Sequence, residues 1–276
     1  MITFREKGHL YESIDPSEKI DWVSVTSLVS QFKKPFDAVA QASKSSANKK
    51  SKWFGIPPEE IQAIWKSEAK RADSTGTWYH AQRESDLLAL DSITREGVLL
   101  PIIRPLTNGE IKEAPDQTLV EGIYPEHFVY LKSAGLCGQA DRVEVVNGKV
   151  NISDYKTNKE MKTQGYKNWE GIVSAMSDPI AHLDDCHLIH YTLQLSMYMY
   201  IILKHNYNLK PGKMTLDHVS FEIESKDKYG MPIHKLVNGE PIVKEVKQYI
   251  IPYMKSEVIS IIKWLNENRD KLRPKQ

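Results

Sequence analysis

Gly138-Gln-Ala-Asp141-Arg-Val-Glu-Val-Val-Asn147-Gly148-Lys-Val-Asn-Ile-Ser-Asp154-Tyr-Lys156-Thr157 decides how this 276-residue chain is read. Asn147-Gly148 stands between two runs rich in β-branched residues, which is the pattern of a two-residue hairpin turn. That turn fixes the register. Val146 faces Lys149, Val145 faces Val150, Val143 faces Ile152, and further out Asp141 faces Asp154. Side chains alternate across a strand, so Val143, Val145, Val150 and Ile152 share one face with Asp141, Asp154 and Lys156. The turn end of that face is apolar and belongs to a core. The far end holds two carboxylates with Cβ atoms about 4.5–5.5 Å apart.

Directly opposed like charges destabilise a sheet, so something must compensate. A divalent cation is the natural candidate. Oxygen ligands with a phosphate nearby favour Mg²⁺ or Mn²⁺ over zinc. Such a cation lowers the pKa of a water and clamps a phosphoryl oxygen, which is the chemistry of phosphodiester hydrolysis. Lys156 stands beside the pair, placed to orient a water or to stabilise developing charge. A lone Asp-x-Lys is ordinarily an exposed hairpin with scattered charges; here the register and the second acid favour a metal site. Ser153 and Tyr155 point to the opposite face as scaffold, with the Tyr155 backbone carbonyl a further metal ligand. Lys159 and Lys162, just beyond the strand, are placed for phosphate contact.

Outward from the hairpin, residues 1–30 read as a short hairpin and the start of a helix at Ser24–Ser30. Residues 31–75 are basic and helical in pattern, with Pro57-Pro58-Glu59-Glu60 as a helix start. Gly76–Leu90 reads as another helix, and residues 100–125 as short strands and loops. Glu126–Tyr130, Leu136–Val146 and Val150–Thr157 are successive strands, and His187–Lys204 is a buried helix. Leu216–Glu224 is expected to be a strand, and Lys244–Leu272 a long helix bent at Pro252. This order argues for an α/β protein with a mixed sheet flanked by helices. We divide it into a helical, basic, DNA-guiding region (1–75) and a core with a C-terminal helix (76–276).

The formal net charge is +1, so a nucleic-acid surface must come from local clustering. The segment 31–71 offers one: lysines interleaved with Phe32, Trp53 and Trp65 could guide a strand by phosphate neutralisation and stacking. A solvated helix face with buried aromatics explains it equally well. The two cysteines, Cys137 and Cys186, cannot supply the four thiolates of an iron–sulfur cluster, and we read them as reduced and buried. No apolar stretch follows Met1, and the run Leu193–Leu203 is too short to span a bilayer, so we expect no membrane association and a cytoplasmic protein.

Gly138-Gln-Ala-Asp141 followed by Asp154-Tyr-Lys156-Thr-Asn-Lys159 resembles the core motif of the PD-(D/E)xK nuclease superfamily, in particular its RecB-like exonuclease branch. Gly76-Thr-Trp-Tyr-His80 upstream and Gln194-Leu-Ser-Met-Tyr198 downstream match helices of that branch. Glu126 matches an acid on the preceding strand, and Ser24-Val-Thr-Ser-Leu-Val its serine-rich helix start. The resemblance runs from about residue 24 to 200 and extends to phage-type exonucleases and the mitochondrial genome maintenance exonuclease. It implies a restriction-endonuclease-like core and DNA with a free end as substrate, with replication or recombination proteins as partners. It further implies His80 and Glu126 as metal ligands with Asp141 and Asp154, and Gln194 and Tyr198 in contact with DNA or with the surroundings of Lys156. Glu84, at i+4 from His80, shares its helix face. Two alternatives stay open: a structure-specific or restriction-type endonuclease on the same core, and a non-catalytic DNA-binding module.

Overall fold

Residues 2–5, 10–15, 17–108, 111–113 and 117–272 are described by the computed structural model. Numbering the central-sheet strands and the helices in chain order, Val23–Ser24 (β1) leads into α1 (Val25–Ser30), α2 (Ala38–Ala47) and α3 (Pro58–Leu88). Then come β2 (Gly122–Leu131), β3 (Leu136–Val146), β4 (Lys149–Lys156), α4 (His187–His205), β5 (Lys210–Phe221), β6 (Val243–Ile251) and α5 (Lys255–Asn268). The sheet order is β6-β5-β4-β3-β1, with β2 on the other side of β3. β4 runs parallel to β5, and β1 parallel to β3; the remaining pairs are antiparallel. This is the mixed α/β sheet with flanking helices that the sequence led us to expect.

The hairpin register is as read. Val146 pairs with Lys149, Val145 with Val150, and Val143 with Ile152, around Asn147 and Gly148 at positive φ. On the core face, Val143, Val145, Val150 and Ile152 meet Leu193, Leu195 and Ile201 of α4, Val25 and Leu28 of α1, and Val258 and Ile261 of α5. The α4 helix is buried on most of its faces, consistent with its apolar composition. Ser24 caps α1 by accepting from the Ser27 N–H at 3.2 Å.

Two helix expectations need correcting. Gly76–Leu90 is not a separate helix. It is the second half of α3, 31 residues and roughly 45 Å long. Nothing between Pro58 and Leu88 breaks the ladder, since a mid-helix glycine costs only about 1 kcal/mol. The helix therefore runs through residues 75 and 76, where the sequence suggested a division. Lys244–Leu272 is not one bent helix either. Val243–Ile251 is the edge strand β6, ended by Pro252, and only Lys255–Asn268 is helical. β-Branched and aromatic residues favour pairing with β5, and Pro252 has no N–H with which to continue the ladder. The strand expected at Leu216–Glu224 begins earlier, at Lys210. The short strands expected in residues 100–125 include Val98–Pro101, which pairs with Ser92–Arg95; part of this stretch lies outside the described residues. Among the described residues, no helix is long and apolar enough to cross a membrane. Both cysteines are buried thiols.

Candidate metal centre

The β3–β4 ladder ends at the Arg142–Ser153 pair. Beyond it the strands part, and the Tyr155 N–H donates to Asp141 Oδ2 at 2.6 Å. A side chain thus takes over where a main-chain acceptor would have stood, and it fixes the carboxylate in place. Asp141 and Asp154 are both buried, with Asp154 only 1% exposed. Among the described residues, neither Asp154 oxygen accepts a hydrogen bond of good geometry. Its counter-charge is the Lys156 ammonium, 2.5 Å from Oδ2. Lys156 in turn lies over the Tyr191 ring at 4.7 Å.

Helix α3 supplies His80. Its Nδ1 lies 3.2 Å from Asp141 Oδ1. Gly76, one turn earlier, lets the helix come this near: a Cβ there would stand 3.1 Å from Thr157 Oγ1, at the end of β4. Tyr79 packs edge-on against Tyr155 at 5.6 Å, within a cluster that includes Val219 and Phe221. Tyr155 accordingly occupies the face opposite Asp154, as its alternation requires.

Strand β2 supplies Glu126. Pro125 faces Arg142 and His127 faces Ala140, so Glu126 is the residue across from Asp141. Its φ is 46°, a left-handed conformation uncommon for a residue with a Cβ. The Gln139 side-chain amide donates to the Glu126 carbonyl at 3.2 Å. His80, Glu126 and Asp141 each offer a ligand atom, and these atoms lie within 4.8 Å of one another. The sequence placed His80, Glu126, Asp141 and Asp154 together at one metal centre. Within that set His80, Glu126 and Asp141 form a tight trio, with Asp154 tied to Lys156.

The electrostatics match this crowding. Burial pushes the Asp154 carboxyl up and the Asp141 charge adds to the push; Lys156 opposes both, leaving a pKa of about 6. Burial would also raise Asp141, but His80, Lys156 and the Tyr155 N–H together hold it below the ordinary range. Burial disfavours the Lys156 charge, yet the two carboxylates more than offset this and keep it protonated. His80 follows the same logic: burial lowers it, and Asp141 raises it to about 9. A site with two buried carboxylates, an acid in a strained conformation and an imidazole fits a cation that takes oxygen and nitrogen ligands. The orphaned Asp154 oxygens are the sharpest sign of that fit. His80, Glu126 and Lys156 line a cleft of about 810 Å³, together with Glu84 and Gln139, large enough for a nucleotide.

Other expected residues lie elsewhere. Gln194 and Tyr198 are 8% and 2% exposed, and the Gln194 amide donates to the Tyr198 hydroxyl at 3.1 Å. Side chains so enclosed sit beneath the site and not on a DNA-facing surface. Gly138 makes room for them: a Cβ there would be 2.6 Å from the Tyr198 ring. Lys159 and Lys162 are exposed as expected. In the segment 31–71 the rings divide between the interior and the surface. Phe32 is buried edge-on to Trp264, while Trp53 is buried, stacked on Tyr229 and edge-on to Trp65. Phe36 and Phe54, by contrast, are 65% and 51% exposed, and they face water together with lysines such as Lys34, Lys49, Lys66 and Lys70. Sequence reasoning missed Tyr191 and Gln139. Tyr191 could have been found from its spacing of three and seven to Gln194 and Tyr198, which puts all three on one helix face.

The fold and the motif order find a counterpart among known proteins. No curated protein matches the chain. The crystal structure of SSO0001 is similar at 13% identity and a TM-score of 0.33, covering 93% of this chain and 81% of that one, a likeness too distant to carry an argument. The family model of the PD-(D/E)XK nuclease superfamily matches residues 30–273, which include every residue of the site described above. The chain belongs to the PD-(D/E)XK nuclease superfamily.

Proposed function

We propose that this chain is a Mg²⁺- or Mn²⁺-dependent deoxyribonuclease of the RecB-like exonuclease branch that hydrolyses phosphodiester bonds from a DNA end, in replication, recombination or repair. The observation that carries the reading is the buried Asp154 carboxylate, one oxygen against Lys156 and the other without a partner among the described residues, beside the His80–Glu126–Asp141 trio. The carboxylates of Glu126, Asp141 and Asp154 outnumber the positive charges of Lys156 and His80, so a cation would complete the balance, and a nuclease needs such a ligand.

His80, Glu126, Asp141 and Asp154 would hold the cation, with the Tyr155 carbonyl as a further ligand. When bound, the cation supplies positive charge that acidifies a water and neutralises a phosphoryl oxygen. Asp141 is held in position by the Tyr155 N–H. Lys156, protonated and anchored by Asp154, donates to the attacking water or to the phosphoryl oxygen where negative charge develops. Lys159 and Lys162 contact backbone phosphates, which positions a strand without reading its sequence. Gln194 and Tyr198 act from beneath, as packing support for this floor.

The need for a DNA end rests on the motif order of the RecB-like branch. The test offers linear DNA, the same DNA with both ends blocked by bulky groups, and a closed single-stranded circle, each with Mg²⁺ and with EDTA. Cutting of open linear DNA alone, dependent on Mg²⁺, is expected. Efficient cutting of the circle would overturn the exonuclease reading in favour of an endonuclease. No cutting of any substrate with either metal would overturn the enzyme reading.

A further inference from the structure

Between β4 and α4 the chain builds a small hairpin that its own packing does not explain. Ser174 N–H donates to Tyr166 O at 2.8 Å, Asn168 N–H to Ile172 O at 2.9 Å, and Gly171 N–H to Asn168 O at 3.0 Å. The Asn168 side chain accepts from the Glu170 and Ile172 N–H groups, closing the turn. The base is clamped as well. Gly165 N–H donates to Asp184 Oδ2, Asp185 N–H to Ser174 O, and Ser177 N–H to Phe32 O. The two arms pass so closely that a Cβ at Gly165 would run into Ser174 O.

A loop this well bonded holds its side chains where they are. Yet Trp169 is 91% exposed, Tyr166 77% and Ile172 63%. Single exposed apolar residues are ordinary, but Tyr166, Trp169 and Ile172 exposed along one hydrogen-bonded hairpin mark a recognition surface. Lys162 and Lys167 accompany them and are exposed too, with Glu170 the acid at the tip. The hairpin is inserted between two elements that reach the metal centre, β4 and α4. The segment between Lys156 and the hairpin is tied to α4, where the His187 ring donates to Glu160 O at 2.8 Å. In α4 as well, Leu188 N–H donates to Lys162 O, one turn before the Tyr191 ring that carries Lys156.

We infer that the hairpin 165–174 is a stacking finger for single-stranded DNA, with Trp169 and Tyr166 taking unpaired bases and Lys162 and Lys167 the phosphates between them. The inference rests on the nuclease reading above and names the form of nucleic acid that approaches the site. Unpaired bases are the fitting occupant because a ring can stack only on a face that a neighbouring base has left free. Such stacking tolerates any sequence, as a nuclease of this kind requires.

The experiment measures binding of short oligo(dT) in Ca²⁺ by the parent, Trp169→Ala and Trp169→Phe, together with Mg²⁺-dependent DNA cleavage, melting temperature and oligomeric state. The expected result is binding about 5- to 100-fold weaker in Trp169→Ala, with Trp169→Phe recovering much of the loss. Melting temperature should not change, nor should the rate on the small diester bis(p-nitrophenyl) phosphate, which carries no base to place on the finger. Equal affinity in Trp169→Ala, from a parent that does cleave DNA, would overturn the inference and leave the nuclease reading standing. A lower melting temperature accompanying the weaker binding would overturn it in favour of a structural role. Loss of a dimer at unchanged DNA affinity would overturn it in favour of contact with a second copy. A parent that neither binds nor cleaves DNA would remove the nuclease reading and the finger with it.

Discussion

At the turn end of the β3–β4 hairpin, Val143, Val145, Val150 and Ile152 are at most 1% exposed and packed against α1, α4 and α5. At the open end of the same face, Asp154 is equally buried, but its neighbours are Asp141, His80 and Lys156. One strand pair thus holds two regions of similar burial and opposite energetics. Burying the valines and the isoleucine stabilises the fold at about 25 cal/mol per Å² of apolar surface. Burying the carboxylates without a cation works against it, as the raised Asp154 pKa shows. The turn end makes the hairpin stand, and the open end spends part of that stability on a site poised for a ligand.

The largest effects should separate the two ends by what each loses. Asp154→Asn should lower the cleavage rate by orders of magnitude while the melting temperature stays level or rises, because one of two buried negative charges is gone. Ile152→Ala, two residues away on the same face, should do the reverse. It should cost about 2–5 kcal/mol of stability and leave the single-turnover rate near that of the parent while the protein is folded. Chemical denaturation and single-turnover cleavage on both variants check this; a destabilised Asp154→Asn would erase the contrast.

Lys156→Ala should cut the rate by orders of magnitude and leave DNA affinity in Ca²⁺ near that of the parent, since its ammonium serves developing charge at the open end. A binding defect with a normal single-turnover rate would show that Lys156 belongs to the binding surface.

A smaller effect follows from pH. The folded Asp154 carboxyl keeps its proton up to about pH 6, whereas the unfolded one loses it near 3.8. Over that window the unfolded state gives up the proton first, so this group's contribution to stability falls as pH rises. In EDTA, the stability of Asp154→Asn relative to the parent should therefore grow between pH 4 and 6, as denaturation curves across that range will show. A difference independent of pH would mean that Asp154 is not held in an unfavourable environment.

The two ends were not equally legible. Asn147-Gly148 and the alternation of valines set the register from local sequence alone, so Asp141, Asp154 and Lys156 could be placed on one face before any tertiary information. The arrival of His80 and Glu126 could not be derived that way. One depends on how α3 crosses β4 at Gly76, the other on a left-handed backbone at a non-glycine residue. Phe32 and Trp53 looked available for stacking because the rings that enclose them, Trp264 and Tyr229, come from distant parts of the chain. Strand β6 was read as helix because most of it is exposed at the edge of the sheet, so no buried-polar alternation marks it. Its Lys244, Glu245 and Lys247, which suit an exposed strand edge, imitate the polar side of a helix.

The most direct measurement is cleavage of end-labelled linear DNA by the parent and by Asp154→Asn, each in Mg²⁺ and in EDTA, with the Mg²⁺-induced rise in melting temperature followed in parallel. A cation held at the open end of the hairpin predicts cleavage by the parent in Mg²⁺ only, and a melting shift that is large in the parent and much reduced in the variant. Cleavage that persists in EDTA, or an equal Mg²⁺ shift in both proteins, would contradict it.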